Sequence, residues 1–330
     1  LSAAGVELTA ALKASTVDYR TSAAVWQITA IEPDSTSSQP ASRPPEQERT
    51  GGHTATHEII YSRNGAAQVC RAHRLILATG ALERPYPVPG WTLPGVMTAG
   101  AGQILLKQSG VVPERAVLAG SGPLLYLFAN QLIRAGAPPM ALVETATNNV
   151  WRSAVKNVSG IVTGWRYMAK GLGLLAGLRR AGVHRFTGAS NLNVIGNDHA
   201  TALAFTSHGT TQRIPCGTVF LHQGVIPNIQ LSSALRLDHR WDEAQHCWRP
   251  TLDAWGTSSH PAVAITGDGG GINGAISAAH AGHLAGLEAA RALGRLTTTQ
   301  RDNEAVAHHR ALRRDRAIRP FLDDLYAPPH

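Results

Sequence analysis

The chain has 330 residues, 43% of them hydrophobic and 16% charged, which supplies a sizeable core and excludes a disordered, fibrous or disulfide-scaffold protein. Its length points to roughly two domains. The excess of 30 Lys and Arg over 22 Asp and Glu, a net +8, is scattered except for a cluster from Arg310 to Arg319, with no aromatic-basic interleaving. It therefore reads as a solvated basic surface and not as a nucleic-acid footprint.

From Leu1 to Lys13 apolar residues recur at helical spacing, and Val17, Val25, Trp26 and Ile28 then suggest short strands. Residues 32–56, rich in Pro, Ser and Thr, read as a mobile surface insertion between strands. His57 to Arg63, an Asn64-Gly65 turn and Ala67 to Arg71 predict a hairpin within a small meander. The run Arg74 to Gly80, apolar and ended by Gly, predicts a strand buried on both faces, followed by a Pro-rich loop from Arg84 to Pro94.

Ala116 to Ala119 predicts a second buried strand that runs into Gly120-Ser121-Gly122-Pro123, then a helix from Leu124 to Ala135 closed by Gly136, then a strand over Met140 to Val143. This is a βαβ unit, in which parallel strands require a crossover helix. Trp151 to Ala181 reads as mostly helical, with strands at Leu192–Ile195, Ala202–Thr206 and Thr218–Leu221. Val263 to Asp268 repeats the buried-strand theme before a small-residue helix from Ala275 to Leu293, and Gln300 to Asp324 predicts a charged helical tail.

Two glycine turns carry the candidate chemistry. Gly120-x-Gly122, after a strand and before a helix, begins a dinucleotide fingerprint: the first Gly permits the turn and the second lets a pyrophosphate approach the helix N-terminus. Pro123 suits the first helical turn, but Leu125 stands where a third Gly or Ala would let helix and strand pack closely. Glu144, 24 residues beyond Gly120, sits where an acid accepts the adenosine ribose hydroxyls and repels a 2′-phosphate, favouring NAD over NADP. An empty glycine turn in an α/β domain is the competing reading. Gly267-Asp268, leading into Gly269-Gly270-Gly271, places a carboxylate and bare backbone where a polyol could bind, against an ordinary Asp N-cap as the competing reading.

His280, His283, His308 and His309 lack an acidic or Cys partner at metal-ligand spacing, so no metal site is expected. Cys70, Cys216 and Cys247 form no CxxC pair, which fits a reducing compartment, and Cys216 reads as a small buried hydrophobe. Trp151, Trp165 and Trp241 read as core or interface anchors. No run approaches the roughly 20 apolar residues of a membrane helix, and the expected location is cytoplasmic. The first residue is Leu1, so a leader could have preceded it.

Together, LILATGALERPYPVPGWTLPGVMTAGAGQILLKQSG, AVLAGSGPLLYLFANQLIRAG, TVFLHQGVIPNIQL and AITGDGGGINGAISAAHAGHLAG resemble the two-dinucleotide-fold flavoprotein oxidoreductases. The likeness is greatest to the larger subunits of opine oxidase, D-hydroxyproline dehydrogenase and hydrogen cyanide synthase, with the sarcosine oxidase α subunit more distant. The specific string is Glu83 to Gly100. The resemblance implies an α/β, Rossmann-like fold of pyridine nucleotide-disulfide reductase type with a small β-meander. It implies FAD held by Thr79, Gly80, Gly267 and Asp268, and a second nucleotide site at Gly120, Gly122 and Glu144 for NAD or ATP/ADP. It divides the chain into a flavin domain in two parts, 1–98 and 216–300, an inserted nucleotide domain at 99–215, and a charged tail at 301–330. It further implies electron relay in a hetero-oligomer whose smaller, FAD-containing catalytic subunit oxidises an amine or amino acid, and names no catalytic residue. Two departures stand out: nothing before Thr79 supplies the GxGxxG loop for the ADP half of FAD, and RALRRDRAIRPFLDDLYAPPH resembles the linker before a cysteine-rich iron-sulfur module. Both suit a fragment. A noncatalytic scaffold binding ATP, ADP or nothing is the rival reading.

Overall fold

A computed structural model describes residues 3–31, 57–146 and 150–328. The expected insertion at 32–56 and the side chain of Trp151 lie outside the described residues. Two compact units are present, one of Leu1–Leu75 with Gln230–Arg236, the other of Ile76–Ile229 with Leu237–His330.

The first unit opens with α1 (Ala3–Ala14) and a three-stranded antiparallel meander, β1 (Ala23–Ala30), β2 (His57–Arg63) and β3 (Ala66–Ala72). The Asn64-Gly65 turn has positive φ at both residues, 51° and 77°, the geometry that matches the twist of a tight hairpin. Val17 lies in no strand.

The second unit holds the glycine turns. Its early strands are short: β4 (Leu75–Leu77), β5 (Ala81–Glu83) and β6 (Val96–Thr98). The expected burial of Arg74 to Gly80 on both faces is not realised. Ile76 is 40% exposed, because among the described residues β4 pairs on one side only, with the strand at Val263–Ile265.

From there the chain alternates. Helix α2 (Ala99–Ser109) leads to β7 (Ala116–Ser121), α3 (Pro123–Arg134) and β8 (Ala141–Glu144). Three helices follow, α4 (Val150–Lys156), α5 (Val158–Thr163) and α6 (Trp165–Arg180), then β9 (His184–Phe186). An antiparallel sheet of β10 (Ser190–Gly196), β11 (Ala200–Ser207) and β12 (Thr210–Pro215) precedes β13 (Thr218–Gln223) and β14 (Val225–Pro227). Helix α7 (Gln230–Ala234) belongs to the first unit. The remainder is the hairpin β15 (His239–Asp242) and β16 (Cys247–Pro250), β17 (Val263–Ile265), and helices α8 (Ala275–Ala292), α9 (Thr298–Arg316) and α10 (Arg319–Leu325).

The centre of the second unit is a five-stranded parallel sheet in the order β6-β13-β7-β8-β9. It takes in β6 and β13, so the sheet reaches past both boundaries expected for an inserted domain at 99–215. Alternation along its strands builds a core on each face. Val117, Ala119, Val143 and Val219 pack against the antiparallel β10–β12 sheet through Leu192, Leu203 and Phe205. Ala116, Leu118, Leu142 and Phe220 pack against α3 through Leu125, Phe128 and Leu132. Burial on both faces explains why β7 reads as a continuous apolar run.

The expected single tail helix is two, broken after Ala317. Helix α9 is capped at Thr297 by a capping box, in which Thr297 and Gln300 satisfy each other's backbone N–H groups.

Candidate functional site

Strand β7 delivers the first glycine turn to the C-terminal edge of the parallel sheet. Gly120 has φ 131° and Gly122 φ 124°, and both lie against the end of β13. A Cβ on Gly120 would sit 1.7 Å from the His222 carbonyl oxygen, and one on Gly122 would sit 3.1 Å from His222 Nε2. The turn is glycine because its neighbour strand leaves no room. Gly122 is the N-cap of α3 and Pro123 its first residue, so backbone N–H groups head the crevice. Leu125 is fully buried within the α3 core, so the third fingerprint position serves packing.

Glu144 ends β8, nearly fully buried. Arg185 of β9 donates to both its carboxylate oxygens, Nε to Oε1 at 2.6 Å and Nη2 to Oε2 at 2.9 Å, and its guanidinium lies 5.9 Å from the Tyr126 ring centre. Burial and the nearby Glu144 charge push the Tyr126 hydroxyl well above its ordinary value. The lone negative charge expected at this strand end is thus balanced, and so is the repulsion of a 2′-phosphate. A cavity of about 580 Å³ opens beside the pair, walled by Tyr126, Tyr167, Glu144, Arg185, Leu322 and Tyr326.

A smaller cavity of about 230 Å³ lies at the Gly122 turn itself. His222, almost completely buried, meets Glu83 through Nδ1 at 2.5 Å, and Glu83 Oε2 accepts the Gly100 N–H at 2.8 Å. Burial alone would raise the Glu83 carboxyl, but its hydrogen bonds to His222, Thr98 and Gly100 outweigh this and hold it below the usual range. Arg84 donates to the carbonyls of Gln223, His246 and Gln245 at 3.0, 2.8 and 2.6 Å. Gln223 Oε1, Gln245 Oε1 and Arg319 Nε are buried without a hydrogen-bond partner among the described residues. Sequence reading missed this cluster: Glu83 and Arg84 stand in the string that carries the resemblance, but no spacing links them to His222 or Arg319.

The second glycine turn forms a separate cluster in the same unit. The Thr266 N–H donates to the Leu77 carbonyl at 2.9 Å, which brings the end of β17 beside the end of β4. Thr79 Oγ1 donates to the Asn228 carbonyl at 2.9 Å, and the Asn228 N–H returns a bond to the Gly80 carbonyl at 3.0 Å. A Cβ on Gly269 would lie 3.1 Å from Thr79 Oγ1, so the two turns are in contact. Asp268 Oδ1 accepts the N–H groups of Asn273 and Gly274, both at 2.9 Å, at the start of α8. Its Oδ2 has no protein donor among the described residues. Thr266 Oγ1, at the head of the turn, is buried and unpartnered. A carboxylate oxygen, an unsatisfied hydroxyl and bare glycine backbone together fit the hydroxyls of a flavin's ribityl chain. Thr79, Gly80, Gly267 and Asp268 are therefore brought together, and Gly120, Gly122 and Glu144 form the other group.

The pyridine nucleotide-disulphide oxidoreductase model matches residues 45–286. The chain belongs to this family. Among curated proteins it is 36% identical to the opine oxidase A-subunit of Agrobacterium tumefaciens over 325 residues, covering 98% of this chain and 61% of that protein. It is 32% identical to the HcnB subunit of hydrogen cyanide synthase from Pseudomonas protegens over 273 residues, covering 79% and 56%. The chain thus spans about three fifths of the length of these relatives. Among solved structures, bacillithiol disulfide reductase of Bacillus cereus superposes with a TM-score of 0.51 at 15% identity, covering 81% of this chain and 68% of that one, a likeness of fold.

The weaker candidates fall outside both clusters. His280 and His308 meet Nδ1 to Nδ1 at 3.0 Å and His283 stacks on His308 at 4.5 Å. Burial and then the neighbouring histidines push the His308 ring below its ordinary value. No group of three or more His, Cys, Asp or Glu among the described residues is arranged to hold a metal ion. Cys216 is buried in the core with its thiol pushed up by burial, as a small hydrophobe would be. Trp165 and Trp241 are exposed and are not core anchors; Trp241 packs edge-on to Trp248. Among the described residues no helix is long and apolar enough to cross a membrane.

Proposed function

We propose that this chain is an FAD-dependent oxidoreductase subunit that relays electrons in a hetero-oligomeric oxidase or dehydrogenase acting on CH–NH donors, an opine, amine or amino acid. The observation that carries this reading is the contact of the Thr79-Gly80 and Gly267–Gly270 turns, with Asp268 fixed beside a buried, unsatisfied Thr266 hydroxyl. The identity to the opine oxidase A-subunit over nearly the whole chain supports the substrate class. FAD, when bound, supplies the two-electron acceptor. This chain's residues do the holding: Asp268 Oδ2 and Thr266 Oγ1 would hydrogen-bond the ribityl hydroxyls, while Thr79 and Gly80 would line the crevice. Such a site acts by orientation and electrostatics, so it needs no acid or base of its own. The partner is a smaller, FAD-containing catalytic subunit, and the complex is cytoplasmic, in keeping with three free cysteines. We further assign 1–98 and 216–300 to the flavin domain and 99–215 to the second nucleotide domain, with β6 and β13 from the flanking segments completing its sheet, with Gly120, Gly122 and Glu144 facing NAD or ATP/ADP, and 301–330 to the tail.

A second reading, a noncatalytic scaffold that binds ATP or ADP at the Gly120 turn, is favoured by Leu125 in the core and by Arg185 already engaging Glu144. The visible absorption spectrum of the purified chain, with released nucleotide identified by chromatography, separates the two. Stoichiometric FAD supports the oxidoreductase. A folded chain that releases ATP or ADP and takes up no added FAD overturns it.

A further inference from the structure

The glycine turn at the head of α3 is short of donors for an anion. In the fingerprint that this turn begins, backbone N–H groups of the first helical turn bind phosphate. Here Pro123 has no N–H, and the Leu125 N–H turns back to the Gly122 carbonyl at 3.2 Å. A side chain must supply what the backbone withholds.

His222 stands in that place. It pairs with Gly120 across β13 and β7, its side chain is 2% exposed, and it lines the 230 Å³ cavity together with Gly122, Pro123 and Leu124. Its Nε2 lies 3.1 Å from the point a Gly122 Cβ would occupy, so the missing side chain leaves that ring edge open to the turn. Nδ1 is taken by Glu83 at 2.5 Å. Hydrogen bonds hold the Glu83 carboxyl below its usual range, so the carboxylate is the acceptor and Nδ1 carries a proton. Glu83 is itself fixed, because its other oxygen accepts the Gly100 N–H at the start of α2. Nε2 has no hydrogen-bond partner among the described residues. The other charged groups on this cavity are engaged: Arg84 donates to three carbonyls, and Arg319 pairs with Asp323 within α10. The Tyr326 hydroxyl, which also borders it, is pushed up by burial and stays neutral.

We propose that His222, held by Glu83, donates from Nε2 to a phosphate oxygen of a nucleoside diphosphate seated on the Gly120–Gly122 turn, and that it does so only as an imidazolium. The inference rests on the reading of this turn as a nucleotide site and adds the side chain that reads the phosphate. The sign of its proton dependence follows from the geometry. With Nδ1–H committed to Glu83, loss of the second proton turns a lone pair on Nε2 towards the phosphate, so affinity falls as pH rises. His222 is then a binding residue and Glu83 a positioning residue.

The test is calorimetric titration of the full chain with ADP-ribose and with ADP. In ADP-ribose both phosphates are diesters that do not titrate near neutrality, so a pH effect on its binding belongs to the protein. Wild-type affinity for it should fall about fivefold or more between about pH 6 and about pH 8, the span in which imidazoles ordinarily lose a proton. H222N keeps a donor for Glu83 at the place of Nδ1 but does not reach the turn. It should bind either probe about tenfold or more weakly at the acid end, without the pH slope and with unchanged circular dichroism. E83Q keeps a partner for Nδ1 and loses the charge, and should move the fall in ADP-ribose affinity to lower pH. If neither probe binds the wild-type chain at any pH, the nucleotide reading fails and this inference with it. If a probe binds and the wild-type profile for ADP-ribose is flat, this inference alone is overturned, whatever the variants do. Equal affinity in H222N, or a slope that survives in it, overturns it too and gives the slope to another group, such as His208 of the neighbouring cavity.

Discussion

Arg185 grips the Glu144 carboxylate through two parallel hydrogen bonds of 2.6 and 2.9 Å, at the strand end where an isolated acid would face a ribose. The carboxylate is 7% exposed and the guanidinium 37% exposed, so the pair is half in water on one side only. Bidentate geometry fixes both groups and draws the arginine further above its ordinary value.

Removing the arginine leaves a buried carboxylate without its counter-charge. R185M should therefore destabilise the protein by about 1–3 kcal/mol, below the value for a fully buried pair because the guanidinium is partly solvated. The double variant R185M/E144Q removes the stranded charge and should recover at least half of that loss. Urea unfolding of the four proteins in the cycle measures it; a loss equal in R185M and the double variant would show that the charge is not the cause.

The two kinds of glycine in this chain predict different costs. A Cβ at Gly120 would lie 1.7 Å from the His222 carbonyl oxygen, inside the β7–β13 pairing. G120A must push two central strands apart and should cost about 3 kcal/mol or more, or abolish folding. Gly136 also has positive φ, at 79°, but open space around it. G136A bears only the left-handed backbone strain, about 1–2 kcal/mol. Similar denaturation midpoints for the two variants would mean that β13 yields readily to β7.

Glu288 offers a pH test away from either glycine turn. Hydrogen bonds from Arg291, and then from Arg301, outweigh burial and pull its carboxyl down from 4.5 to about 2. Arg301 is itself clamped 4.0 Å over the Trp255 ring. Because the folded value lies below the unfolded one, the stabilisation is complete above about pH 5 and disappears as pH falls from 4.5 towards 2. E288Q should cost about 1–2 kcal/mol at neutral pH, and its difference from the wild type should shrink over that acidic window. A constant difference from pH 7 to pH 2 would exclude the ion pairs as its source.

Local signals carried the fold as far as local physics determines it. The β7–α3–β8 unit is written in a continuous apolar strand, a glycine turn and a Pro at the first helical position, each an effect within a few residues. The hairpin at Asn64-Gly65 is likewise short-range. What was illegible depends on partners distant in the chain. Ile76 looks like a core residue in sequence and is exposed because β4 has one neighbour strand among the described residues, not two. Glu144 looks like a free acid until the sheet places Arg185, 41 residues on, beside it. His222 meets Glu83 across 139 residues, a pairing no spacing rule reports. The fold break between α9 and α10 is similarly tertiary, since Ala317 and Ile318 sit against the Gly160 and Gly164 face.

Asp268 does two things that can be separated. Its Oδ1 accepts the Asn273 and Gly274 N–H groups and so fixes the entry to α8, a capping role that any acceptor of the same shape can fill. Its Oδ2, under the proposed function, accepts a ribityl hydroxyl. D268A removes both and should lose about 1 kcal/mol of stability together with much of the bound flavin. D268N keeps an amide oxygen for the cap but replaces the other acceptor with an NH₂ donor. It should recover most of the stability while flavin occupancy stays below the wild type, read from the ratio of visible to protein absorbance in the purified chain. Should both variants retain stoichiometric flavin, the carboxylate serves α8 alone and the polyol contact lies elsewhere in the Gly267–Gly270 turn.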